Sequence, residues 1–244
     1  MDSKQIGIIG QGFLGTAVAK RLEKDSHTLW ATQSRSDLNI YDEPESWPEV
    51  PELDWALLFV PFSRRLENPW DYSHGIDTLC AYIRDKAPSC QILLSSSTSI
   101  YPEDNQLAKE DDTLPLNTER QKALAAAESH CDHVIRYGGL IGGTRDADYL
   151  RQRFKPDRPP ANTPANLIHV DDAAGIVAWI IQNNLDADIW NAVTTEHPHR
   201  RDFYLSIGAP YPDLPKETPY KIVSNEKVLS VGYPFIHQDP LRFF

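Results

Sequence analysis

Cysteine is scarce: Cys80, Cys90 and Cys131 are the only three in 244 residues. Their number is odd and no CxxC occurs, so neither a disulfide framework nor a structural zinc site is expected, and a reducing cytoplasm fits. Long apolar runs are missing as well. The longest, "WALLFVPF", falls far short of the roughly 20 residues needed to cross a bilayer, and "MDSKQIGIIG" leads straight into a strand without a signal-peptide core. No membrane anchor or targeting segment is expected. Positive charge is in deficit, since 24 Lys and Arg against 35 Asp and Glu leave −11, with the acid spread along the chain. Extended binding to nucleic acid phosphates or anionic lipid is disfavoured by that balance. There is no GxSxG, no Cys/His pair with a third member and no obvious carboxylate dyad. "HCDH" at 130–133 and "HPHRR" at 197–201 crowd at most three candidate ligands into one helix end or loop, so no metal site is expected.

What is present is an alternation of apolar strands and amphipathic helices. With 41% apolar and 24% charged residues, the chain is long enough for one substantial soluble core plus a small lobe. "QIGIIG", "TLWATQ", "DWALLFVP", "QILLSSSTS", "HVIRYGG" and "DIWNAV" read as strands. Helices are expected at Thr16 to Lys24, around "GIDTLCAYIRDKA", near Glu119 to Ser129 and over "HVDDAAGIVAWIIQNN". In that last segment His169 is expected to hold the loop before a helix capped by Asp171 or Asp172. Strands that are apolar throughout imply a parallel sheet covered on both faces, an α/β doubly wound Rossmann-type architecture. After residue 150 the texture changes, because eleven of the nineteen prolines lie there. The expectation is one Rossmann domain over 1–244, with 144–165 and 195–244 forming a small lobe on the ligand side.

The first strand runs into a glycine turn, "IGIIGQGFLGTAVAKRL". In a dinucleotide fingerprint Gly10 permits the tight turn, Gly12 lets the backbone approach a pyrophosphate, and Gly15 lets the helix pack close to the strand. The helix N-terminus then offers free N–H groups and a partial positive charge to the anion, with Phe13 and Leu14 of the turn as further cofactor contacts. The end of the second strand reports the dinucleotide. No acid stands there, and Arg35, beside Ser34, lies twenty positions after Gly15, which favours NADP with NAD as the alternative. Further cofactor contacts are expected from Val60, Pro61 and Phe62 at the end of the third strand, from Ser95, and from Tyr137. Arg64 and Arg65 follow that third strand and are candidates for clamping an anionic substrate or the pyrophosphate.

"GQGFLG" at 10–15, "SSSTSIYP" at 95–102, "RYGGLIG" at 136–142, "LIHVDDAA" at 167–174 and "VSNEKVLSVGYPF" near the C-terminus, in that order, resemble the extended short-chain dehydrogenase/reductases of the NAD-dependent epimerase/dehydratase branch. The resemblance covers nearly the whole chain. It implies an NADP-dependent oxidoreductase or epimerase-like enzyme acting on a small hydroxyl or carbonyl substrate, with Ser97 orienting the reacting oxygen and a homodimer formed through helices near 75–86 and 119–129. The family's proton donor is a Tyr paired with a Lys as YxxxK, and here the chain departs from it. Matching the family's helix Glu to Glu128 puts Arg120 at the Tyr position and Leu124 at the Lys position; a shift of two gives Thr118 and Lys122. Neither register holds a phenol. The YxxxK that does occur, Tyr82 to Lys86, ends a helix at the amino edge of the sheet, away from the ligand edge. Tyr101 and Tyr137 remain as substitute acids, and Arg120 could stabilise an oxyanion but not give up a proton. A second reading follows from the lost pair: a dinucleotide-binding sensor or scaffold without turnover.

Overall fold

The computed structural model describes residues 3–25, 27–32, 37–63, 65–213 and 218–244. In chain order, β1 (Gln5–Ile9) leads into α1 (Phe13–Lys24), β2 (Thr28–Thr32) and β3 (Trp55–Leu58). Then come α2 (Trp70–Lys86), β4 (Gln91–Ser97), the short β5 (Gln106–Ala108), α3 (Glu119–Glu128) and β6 (His133–Tyr137). The remainder is β7 (Gly139–Ile141), α4 (Ala147–Arg153), β8 (Leu167–His169), α5 (Val170–Gln182), β9 (Ile189–Ala192), α6 (Arg200–Ser206), β10 (Lys221–Val223) and α7 (Glu226–Ser230).

Six strands form one parallel sheet in the order β2-β1-β3-β4-β6-β9. Alternation along the strands decides which face each residue enters. Ile6 and Ile8 of β1, Trp55 and Leu57 of β3 and Leu93 of β4 pack under α1 and α5. Ile9, Ala56, Leu58, Ile92 and Leu94 pack under α2 and α3. Both faces are therefore dry, which is why these strands carry almost no polar residue. No helix among the described residues is long and apolar enough to cross a membrane.

The chain passes from β1 to β2 on one side and then to β3 on the other, so the direction of winding reverses between β1 and β3. Parallel sheets bind ligands at the carboxyl ends of the strands beside such a reversal. Between β2 and β3 there is a short 3-10 turn, Pro44–Ser46, where a longer crossover would carry a full helix. Pro44, Pro48 and Pro51 prevent one.

"HVIRYGG" splits after Tyr137, because β7 leaves the main sheet to pair with β8 in a two-stranded sheet. β5 and β10 form another. A third apolar cluster, Ile141, Phe203, Ile207, Ala209 and Phe243, lies among these later elements. The C-terminal segment is held by Asp172, whose fully buried carboxylate accepts the backbone N–H groups of Ile236 and His237 and the hydroxyl of Tyr233. The cap of α5 thus differs from the expectation. His169 is the cap, its Nδ1 accepting the Asp171 N–H at 3.2 Å, while the Asp172 carboxylate is turned to the donors of the C-terminal segment.

Candidate functional site

The glycine turn sits at the winding reversal. Gly10 has φ +93°, a left-handed conformation that favours glycine, and a side chain there would meet the Phe59 carbonyl. A Cβ on Gly15 would lie 2.5 Å from the Gly10 carbonyl oxygen, so only glycine lets α1 approach β1 this closely. Gly12 is different: a Cβ there meets no atom of the described residues within 4 Å, and the residue is exposed. The turn is tied to β2 by Thr32, whose hydroxyl accepts the Gly10 N–H at 3.1 Å and whose carbonyl accepts the Gln11 N–H at 3.0 Å. No side chain caps the N-terminus of α1 and its first turn holds no acid, which leaves N–H groups and a positive dipole end facing outward. Phe13 is half-buried beneath the Arg145 guanidinium, 4.0 Å above its ring, whereas the Leu14 side chain is buried in the core.

A cavity of about 220 Å³ lies against this turn, bordered by Gly10, Gly12, Phe59, Val60, Pro61 and the segment Leu38 to Tyr41. That last segment was not anticipated, since "DLNIY" has no glycine pattern or charge signature, and only the β1/β3 reversal brings it to the turn. Ser34 and Arg35 lie outside the described residues, as does Arg64. Arg65 is exposed, with its N–H on the Ser63 hydroxyl.

A second cavity, about 300 Å³, follows along the same edge beyond β4. Phe62, Ser99, Tyr101, Thr118, Arg120 and Leu124 border it, together with Lys221 of β10. Arg120 lies flat on the Phe62 ring, 4.1 Å from its centre, and donates to the Ser63 carbonyl at 3.1 Å. Leu124 is buried on the same side of α3, Thr118 caps that helix, and Lys122 is exposed and pairs with Glu119 at 2.8 Å. Ser97, at the end of β4, is half-buried and borders neither cavity; its hydroxyl accepts the Ser99 N–H at 3.1 Å and donates to no group among the described residues. Ser95 is half-buried within β4, opposite Ile135. The groove of about 940 Å³ between α1 and α5 is larger than either cavity and also reaches the glycine turn at Gly12 and Phe13, with Gly143 and Thr144 after β7 and Tyr233 to Ile236 of the C-terminal segment along its border.

Neither substitute phenol is free. Tyr137 is buried, its hydroxyl donates to the Ala173 carbonyl at 3.2 Å, and burial pushes its pKa up. The Tyr101 hydroxyl donates to Asn191 Oδ1 at 2.9 Å and accepts from Arg136 at 2.8 Å, and burial again raises the phenol. Tyr82 of the stray YxxxK donates to the Pro48 carbonyl, far along α2 from either cavity. Beneath Tyr101 lies a buried ion pair: Arg136 Nη2 and Nε donate to the Glu128 carboxylate at 2.7 and 3.2 Å, and the Ser96 hydroxyl donates to the same group. Glu128 therefore fastens α3, and Arg120 with it, to β4 and β6.

One cluster escaped the sequence entirely. His169, Asp171 and His237 bring three possible ligand atoms within 4.8 Å of one another, with the two imidazole centres 3.7 Å apart and their planes tilted by 32°. His169 Nδ1 is already committed to its helix cap.

No protein-family model matches the chain. Protein YeeZ of Escherichia coli K12 is 23% identical over 98% of both chains. Among solved structures, a Methylobacillus flagellatus protein described as an NAD-dependent epimerase/dehydratase superposes with a TM-score of 0.73 at 20% identity, covering 98% of this chain and 95% of that one. The human epimerase family protein SDR39U1 with NADPH gives 0.71 at 15% identity, covering 97% and 96%. A short-chain dehydrogenase/reductase superfamily protein of Agrobacterium tumefaciens with bound NAD gives 0.72 at 15%, covering 97% and 94%. The chain therefore has the Rossmann-like fold shared by these epimerase/dehydratase and short-chain dehydrogenase/reductase structures.

Proposed function

We propose that this protein is a nicotinamide-dinucleotide enzyme, with NADP preferred over NAD, that interconverts a small carbonyl compound and its alcohol or epimerises such a centre. The observation that carries the reading is the glycine turn: Gly10 and Gly15 are required by packing, whereas Gly12 is required by none of the described residues and opens onto the cavity beside an uncapped helix N-terminus. A pyrophosphate against Gly12 accounts for that glycine. Val60, Pro61 and Asn39 would hold the adenosine half, and Arg35 is assigned to the 2′-phosphate from its place in the sequence. Bound in this way, the dinucleotide supplies hydride chemistry at its nicotinamide.

The chain's own contribution is orientation and charge. Ser97 donates its free hydroxyl proton to the reacting oxygen. Arg120, held on Phe62 and Ser63, places a positive charge beside it but keeps its protons at any physiological pH. The later elements, 144–165 and 195–244, close the substrate side as a small lobe, and α2 with α3 forms a homodimer contact. Free thiols at Cys80, Cys90 and Cys131 are in keeping with the cytoplasm.

The missing phenol favours a second reading, a dinucleotide sensor without turnover. NADPH oxidation measured across a library of small aldehydes, ketones and keto acids, beside a calorimetric NADPH titration, separates the two. Turnover of any compound above background establishes the enzyme. Tight binding with no turnover across the library supports the sensor, and light scattering that shows only monomer removes the dimer.

A further inference from the structure

The cavity beyond β4 contains a cation that none of the sequence motifs marks. Lys221 enters it from β10, 120 positions after Tyr101, and its side chain is 11% exposed. Its ammonium donates to the Tyr101 carbonyl at 2.7 Å, and among the described residues its one ion-pair partner, the exposed Glu103, stands at 3.9 Å, beyond hydrogen-bond reach. Buried ammonium groups are ordinarily paired with a hydrogen-bonded anion. Arg120 repeats the pattern on the opposite wall: it is half-buried, it forms no salt bridge among the described residues, and one of its five N–H groups goes to a carbonyl. Two cations with spare donors, with the exposed Glu103 as the one acid beside them, thus line one cavity of about 300 Å³ in a protein whose net charge is −11.

We infer that Arg120 and Lys221 form an oxyanion-binding subsite, so that the substrate carries a carboxylate or phosphate group next to its reacting carbonyl or hydroxyl. The substrate half of this inference rests on the enzyme reading above; the anion site itself does not. Guanidinium and ammonium provide complementary recognition, a planar fork for two oxygens and a point charge for a third. Burial lowers the Lys221 pKa, with Arg200 adding to the effect and Glu103 and Asp104 opposing it, as expected of a cation whose pairing is incomplete. Phe62, stacked on Tyr72 at 4.6 Å, holds the Arg120 plane in place without neutralising it.

The test is a calorimetric titration of malonate and, separately, inorganic phosphate into the wild-type protein, with and without saturating NADP⁺ to fill the glycine turn. Arg120→Gln, Lys221→Gln and Lys221→Arg are compared, with circular dichroism and NADP⁺ affinity as controls for folding. At least one anion should bind saturably to the wild type in the presence of NADP⁺. Binding should be roughly ten- to a hundredfold weaker in either Gln variant, the range expected for one charge-assisted bond, and largely kept in Lys221→Arg. If malonate alone binds, the substrate group is a carboxylate; if phosphate alone binds, it is a phosphate. No saturable binding to the wild type, or equal binding to the wild type and the folded Gln variants, overturns the proposal. Arg120→Gln, on a half-exposed helix turn, decides the matter by itself if Lys221→Gln does not fold. Anion binding that needs both cations in a protein that fails to bind NADP⁺ would keep the subsite and reject the enzyme reading.

Discussion

Replacing Glu128 by Gln should be among the most damaging single changes in the chain. The carboxylate and Arg136 are both nearly inaccessible, at 5% and 4% side-chain exposure, and Glu128 is the only acid hydrogen-bonded to that guanidinium among the described residues. Gln preserves shape and can still accept from Arg136 or Ser96, but it leaves the guanidinium charge buried without a counter-ion. Breaking a buried pair from one side costs about 3–5 kcal/mol, which is a large part of the roughly 5–15 kcal/mol that stabilises an ordinary domain. Replacing both partners by apolar residues, Glu128→Leu with Arg136→Met, removes the stranded charge and should be less harmful than the single change. Ser96→Ala, which deletes one hydrogen bond to the pair, should cost about 1 kcal/mol. Urea unfolding followed by tryptophan fluorescence measures all three. A loss below about 1 kcal/mol for Glu128→Gln, or a double variant less stable than the single one, would refute the view that this pair is a charge-balanced clamp.

Stability should also fall in mild acid. Burial lowers the pKa of His133, against the opposing effects of Asp132, Asp188 and Asp186, so the folded state prefers the neutral ring. Its contribution is complete above the unfolded value of about 6.5 and is lost as pH drops through the lower folded value, by up to about 1.4 kcal/mol per pH unit. His133→Phe, which keeps the ring packed on Trp55, should flatten the pH dependence of thermal unfolding, and an unchanged slope would contradict this. Asp172→Ala strands the buried donors of Ile236, His237 and Tyr233. It should cost about 3 kcal/mol and expose the C-terminal segment to limited proteolysis before the rest of the chain, whereas a cleavage pattern like the wild type's would count against the clamp. Arg35→Ala should weaken NADP by roughly ten- to a hundredfold and NAD little, because NAD lacks the 2′-phosphate; equal losses on both would refute the assignment.

The sheet was readable from its strands because both faces are covered: Ile6, Leu57, Leu93 and Ile135 have nowhere polar to point, and the helices between them repeat at helical spacing. The glycine turn was readable because its geometry needs specific residues. The small sheets were not, since three-residue strands such as Gln106–Ala108 and Lys221–Val223 show no periodicity and pair across more than a hundred residues. The second cavity was legible only in part. Arg120 follows from counting back from Glu128, but Lys221 stands in "YKIVSN", where nothing separates it from a surface lysine until β10 is laid beside β5. The Glu128–Arg136 pair hides for a similar reason, because charged residues on a helix and a strand reveal their burial only in three dimensions.

The most direct test of the account is a calorimetric titration of NADPH into the wild-type protein and into Gly12→Val, with thermal unfolding of each measured alone. Because a Cβ at Gly12 meets no atom of the described residues within 4 Å, the variant should unfold close to the wild-type temperature yet lose NADPH binding. No NADPH or NADH binding by the wild type, or equal binding by a folded Gly12→Val, would contradict the claim that this turn exists to hold a dinucleotide.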